Sequence, residues 1–223
     1  FDVVRGVTKL IESTGNGGEN TVANTLTSFN SDGFTVGADG NSYVNRSSSP
    51  NTYVAWNWKA GNSQGSSNTD GTINTTYTSA NTTAGFSIST YTGTGSAGTI
   101  GHGLGVKPSL VLAKKTGASG QNWYVYHKAL GATKYLHLNT TAAEGTASSV
   151  WNNTEPTTSV ISLGTDTSQS SAYVAYAFAE KTGFSKFGSY TGNGLTDGAF
   201  VYTGFKPAFV MFKRTSGTDN WVI

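Results

Sequence analysis

The chain has no cysteine, one methionine and four prolines in 223 residues, and only 12% of its residues are charged. Without cysteine, disulfides and thiolate metal sites are excluded. No apolar run reaches the roughly 18 residues that a membrane-crossing helix needs. No signal peptide and no starting Met are present, so Phe1 reads as a processing boundary. Net charge is +2 with the few Lys and Arg scattered, and without a basic stripe nucleic acid is not an expected partner. The charged share is about half that of ordinary globular domains. Aromatic residues also stand at 12%, the reverse of a disordered composition. A folded chain with polar, uncharged surfaces is expected.

What the chain does have is a pattern that occurs twice. Gly85-Phe86-Ser87 recurs as Gly183-Phe184-Ser185, and Tyr91-Thr92-Gly93-Thr94-Gly95 as Tyr190-Thr191-Gly192-Asn193-Gly194. Lys107-Pro108 recurs as Lys206-Pro207, and each pair precedes an apolar run, a basic pair and a tryptophan, Trp123 or Trp221. A second echo links the other half of the chain. Gly-x-Thr-Lys lies at 6–9 and at 131–134, Glu19 answers Glu144, and Tyr53-Val54-Ala55-Trp56-Asn57-Trp58 answers Tyr173-Val174-Ala175-Tyr176-Ala177-Phe178. Similarity held over such lengths marks a duplicated folding unit.

The last pair alternates large and small residues with period two, which reads as a strand with one buried face. Phe86–Tyr91, Leu110–Ala113, Trp123–Tyr126, Phe209–Phe212 and Trp221–Ile223 read as further strands, and Ser47–Asn51 as a loop. Helical periodicity is missing except for a single turn near Thr141–Glu144. Many short strands between Gly-rich turns predict an all-β, antiparallel β-sandwich of jelly-roll or lectin-like type, built from a duplicated unit. The expected units are 1–125 and 126–223, forming two tandem sandwiches or one pseudo-symmetric sandwich. Residues 61–84 have almost no counterpart in the second unit and read as an insertion, either a flexible linker or an exposed hairpin around Asp70-Gly71, with the β-propensity of Thr72–Tyr77 favouring a hairpin or partly extended loop. Joining Ile223 to Phe1 would recreate the internal junction Val125-Tyr126, so the chain reads as one period of a longer array or as a fragment.

Candidate chemistry is sparse. His102, His127 and His137 have neither metal-ligand spacing nor a neighbouring carboxylate. Gly101-His102-Gly103-Leu104-Gly105 lacks the Lys-Ser/Thr and the helix of a phosphate loop and reads as a Gly-rich hairpin. Asp39-Gly40-Asn41 and Asp70-Gly71 lack a complete calcium loop and read as turns. Nothing brings two carboxylates together for glycan hydrolysis, and no nucleophile elbow is present. No catalytic residue, metal or cofactor is expected. Among the tryptophans, Trp56, Trp58, Trp123 and Trp221 read as core. Trp151, in Val150-Trp151-Asn152-Asn153, is the candidate for an exposed ligand contact.

The runs 53–61, 85–95, 101–108 and 183–194 together resemble a repeat module of tail-fibre-like and other structural virion proteins of tailed bacteriophages, especially phages of marine bacteria. The resemblance covers nearly the whole chain. It implies a non-enzymatic structural or adhesive part of a virion or extracellular surface. The implied partners are other virion subunits, further copies of the chain and host-surface glycans, with weak sugar contacts summed over many copies. A secreted carbohydrate-binding module and a glycan-degrading tailspike are the alternatives.

Overall fold

The computed structural model describes residues 1–41, 43–46, 51–118 and 120–223, so the loop read at Ser47–Asn51 lies, apart from Asn51, outside the described residues. The short strands β1 (Lys9–Leu10) and β2 (Asn20–Thr21) pair with each other, as do β3 (Leu26–Phe29) and β4 (Phe34–Val36). Then come β5 (Tyr77–Asn81), β6 (Phe86–Thr92), β7 (Gly98–Gly101), β8 (Leu110–Lys115), β9 (Tyr124–His127), β10 (Lys134–His137) and β11 (Gly145–Thr146). A one-turn helix, α1 (Ser148–Trp151), precedes β12 (Val160–Leu163) and β13 (Ala172–Phe178). The chain closes with β14 (Phe212–Lys213) and β15 (Trp221–Val222). The fold is all-β and antiparallel, as the alternation predicts. The single helical turn falls at 148–151 instead of 141–144.

The central sheet has seven strands in the order β11-β10-β9-β8-β13-β6-β5. It draws strands from both sides of the repeat junction near residue 125. Its middle strand, β13, lies between β8 and β6 and pairs with both along nearly its whole length. The period-two alternation of β13 sends Tyr173, Ala175 and Ala177 to one face and Val174, Tyr176 and Phe178 to the other. The first face joins the main core, where Tyr91, Ile100, Val111, Trp151 and Leu163 are sealed under the β7–β12 pair and α1. The Tyr91 and Tyr173 rings stack there at 5.2 Å, and their hydroxyls donate to the carbonyls of Thr167 (2.7 Å) and Asp166 (3.0 Å). The second face joins a smaller core of Val4, Ala60, Phe86, Ile88 and Val174.

The segment 61–84 is no detached loop. It folds back on itself through an antiparallel bridge between Ser66 and Thr78, and its end forms the edge strand β5 on β6. Ile73 drops from it into the main core. A charged cluster ties the N-terminal turn to β13. Buried Arg5 donates to Asp2 (2.6 Å), Glu19 (3.1 Å) and the Tyr176 hydroxyl (3.2 Å), and that hydroxyl donates to Asp2 at 2.7 Å.

Duplication is visible atom by atom. Lys9↔Thr21 and Leu10↔Asn20 have the same register as their counterparts Lys134↔Thr146 and Tyr135↔Gly145. Phe212↔Val222 repeats Ala113↔Tyr124. Lys9 and Glu19 form an ion pair, as do Lys134 and Glu144. The joint between halves also recurs. Trp123 Nε1–H donates to the carbonyl of Glu12 at 2.9 Å, and Trp221 Nε1–H to that of His137 at 2.9 Å. The Glu19 amide donates to Thr116 O and the Glu144 amide to Thr215 O, each at 2.9 Å. Gly120 N–H reaches Asn16 O at 3.0 Å, and Asp219 N–H reaches Thr141 O at 2.8 Å. The second joint uses the repeat counterparts of the first, with Asp219 in the place of Gly120 across a one-residue gap.

Candidate functional surface

The four half-units are not equally covered. Residues 85–125 and 126–180 complete one another, because β13 of the later half fills the gap between β6 and β8 of the earlier one. Residues 183–223 contain the same strand-forming runs, yet only the hairpin β14–β15 is hydrogen-bonded as a ladder. Residues 53–58, the counterpart of β13, make no ladder. The side chains that a sheet would seal are therefore open. Trp56 and Trp58 are 54% and 51% exposed, and Phe200 is 88% exposed. Phe184, Tyr190, Tyr202, Phe209 and Phe212 are exposed as well.

These two uncovered stretches adjoin one another. The Trp56 and Phe209 rings meet edge-on with centroids 5.7 Å apart. Trp58 leans on Phe178 (5.9 Å) and Phe86 (6.5 Å) at the rim of the smaller core. Tyr190 meets Phe212 at 6.2 Å. Beside them an open cleft of about 730 Å³ is lined by Lys59, Ala60, Asn62, Asn81, Thr83 and Phe184. Exposed aromatic rings grouped in this way mark an interaction surface more often than rings scattered singly do.

The structure reverses the expected roles of the tryptophans. Trp151 is 2% exposed, seated on α1 and packed edge-on against Tyr126 at 6.1 Å, so it offers no face to a ligand. The polar Asn152 and Asn153 that suggested a loop are helix-ending residues in the left-handed region, with φ of 51° and 49°. Trp56 and Trp58, read as core, are the exposed ones. Trp123 is buried as expected. The alternation of 53–58 reports a strand correctly but carries no information on whether a neighbour covers it.

His102, Asp39, Asp70 and Lys114 each hold local structure. His102 is fully buried, accepts the Leu104 amide on Nδ1 (3.2 Å) and sits 3.3 Å from the Thr157 carbonyl through Nε2. Burial holds its pKa below the ordinary imidazole value, against the Thr157 contact. Asp39 accepts the Asn41 (2.9 Å) and Val44 (2.8 Å) amides, so its carboxylate closes a turn. Asp70 likewise receives the Asn68 side-chain amide at 3.1 Å. Lys114 is buried with its ammonium on the carbonyl of Lys115, and burial, together with the charge of Lys115, lowers its pKa to about 8. Among the described residues no three His, Cys, Asp or Glu gather where they could hold a metal ion, and no helix is long and apolar enough to cross a membrane.

Fold and surface together define a duplicated, all-β module with one completed sheet and an uncovered aromatic edge. The chain belongs to the family described as "Domain of unknown function (DUF7483)", which matches residues 1–223. Neither a curated protein nor a solved structure matches it.

Proposed function

We infer that the chain is a non-enzymatic structural module of a bacteriophage particle, a fibre, tail or capsid-surface part present in several copies. The observation that carries this reading is the recurring joint, in which Trp123 and Trp221, with the backbone around them, make the same hydrogen bonds to successive half-units. A contact that repeats with the same atoms suits a part whose task is to hold a shape. The low charge and the resemblance of runs 53–61 and 183–194 to virion repeat modules point the same way. Host-surface glycan is the ligand this reading assigns to the exposed aromatic rings, since apolar sugar faces pack on such rings.

The test has two arms. Mass spectrometry and antibody labelling of particles purified from a culture carrying the gene should find the chain on the particle. Its recovery only from cell supernatant, with no particle, overturns the virion assignment. Purified protein incubated with bacterial surface polysaccharides should bind without releasing reducing ends. Release of reducing ends overturns the non-enzymatic assignment in favour of a tailspike, and absence of binding removes the glycan part.

A further inference from the structure

We propose that residues 53–58 are the missing middle strand of a second sheet, and that they insert between 184–190 and 209–213 of the same chain. In the completed sheet, β13 lies between β6 and β8. Residues 53–58 repeat β13, residues 184–190 repeat β6, and residues 209–213 repeat most of β8. One chain thus carries an unpaired strand of the β13 type and an unfilled slot of the β6–β8 type.

Three observations select the chain's own segment as the occupant. Trp56 already touches Phe209. In the ladder transferred from β13 and β8, Trp56 lies opposite Met211 and diagonal to Phe209, and diagonal neighbours are within reach of aromatic rings. Lys59 and Ala60, just past the strand, line one cleft with Phe184, just as Ala179 donates its amide to Gly85 beside Phe86. Finally, the two joints have the same hydrogen bonds. The first half-unit docks on the second as the third docks on the fourth, and this places the first and fourth side by side, as a pseudo-two-fold arrangement requires.

Closure would make a sandwich of two related sheets. The smaller core, with Trp58 against Phe86 and Phe178, becomes its inner layer. It would also satisfy main-chain groups that now lack ladder partners. The match is uneven on one side. Six steps separate Phe184 from Tyr190 where five separate Phe86 from Tyr91, so that ladder must carry a bulge. The ladder to 209–213 has no such mismatch and is the one to test.

The chain's lack of cysteine makes the test clean. Ala55 and Phe212 stand where Ala175 and Ala113 face each other. In the full chain, A55C/F212C should oxidise to an intramolecular disulfide at least about tenfold faster than A55C/M211C, whose second thiol lies on the opposite face of the strand. Amide hydrogen exchange on the unaltered protein should show residues 53–58 protected to within about tenfold of β13. Equal oxidation of the two pairs, or 53–58 exchanging like an unpaired loop, overturns the proposal. A disulfide found only between two chains overturns it too, in favour of strand exchange between copies.

Discussion

Tyr91 and Tyr190 hold the same place in two copies of one motif, yet Tyr91 is 1% exposed and Tyr190 is 55% exposed. Val111 and its counterpart Val210 differ in the same way, the first sealed and the second open. The shared motifs do not account for it, since both copies carry Gly-Phe-Ser, Tyr-Thr-Gly-x-Gly and Lys-Pro. What differs is the neighbour. The first copy holds β13 between its two strands, and among the described residues no strand is paired between the corresponding runs of the second. Strand propensity in this protein is a readiness to pair, and burial follows only when the third strand arrives.

The largest break in this comparison should come at the charged cluster that fixes the first half-unit to β13. Arg5→Ala leaves Asp2 buried beside Tyr176 without its guanidinium, at a cost of about 3–5 kcal/mol by chemical denaturation. Its repeat counterpart is Leu130, where no such cluster exists, and Leu130→Ala should cost much less. Next come the glycines that open each copy. Gly85 and Gly183 both have positive φ, +70° and +74°. Alanine at either should cost about 1–2 kcal/mol from backbone strain. A Cβ on Gly85 would also meet the Ala179 carbonyl at 2.6 Å, whereas one on Gly183 meets nothing within 4 Å. Gly85→Ala should therefore be the worse in thermal unfolding while the second copy stays open, and equal effects are the outcome expected once residues 53–58 close over Gly183 as β13 and Ala179 close over Gly85.

The joints give a smaller difference. Trp123→Phe removes the hydrogen bond to Glu12 from a buried site and should cost about 1–3 kcal/mol. Trp221→Phe removes the same bond at a half-buried site and should cost about 1 kcal/mol or less.

The smallest effect is with pH. Burial lowers the pKa of His102, His127 and His137 in the folded state from the ordinary 6.5, aided at His127 by Lys128. The unfolded chain then binds more protons on the acid side. Stability from these groups is complete above about pH 6.5 and is lost as pH falls through 6.5 towards the folded values. The unfolding midpoint should drop between pH 7 and 5.5, and His102→Gln should shallow that slope.

Much of the architecture was legible in the residues. The duplication, the all-β class and the turn at Asp39 follow from spacing and from residues suited to tight turns, whereas Gly101–Gly105, read as a hairpin, is a crossover from β7, which pairs with β12, to β8, which pairs with β13 and β9. Coverage was not legible. Tyr53–Trp58 alternates as cleanly as Tyr173–Phe178, because alternation records a strand's two faces and not what lies against them. Trp151 failed for the opposite reason. A single helical turn is too short to show period, and its two ending asparagines look like a loop. The stretch 61–84 reads as an insertion because it lacks a counterpart, and it folds back around Asp70-Gly71 through the Ser66–Thr78 bridge, but its anchoring by Ile73 and β5 is visible only in the structure.

The joint between half-units accepts through main-chain carbonyls, those of Glu12, Asn16 and Thr116 in one place and of His137, Thr141 and Thr215 in the other. Acidic, amide, hydroxyl and imidazole side chains thus share one connector, because none of those functional groups takes part in it. A change of side chain at any of these acceptor positions therefore leaves the connecting carbonyl in place.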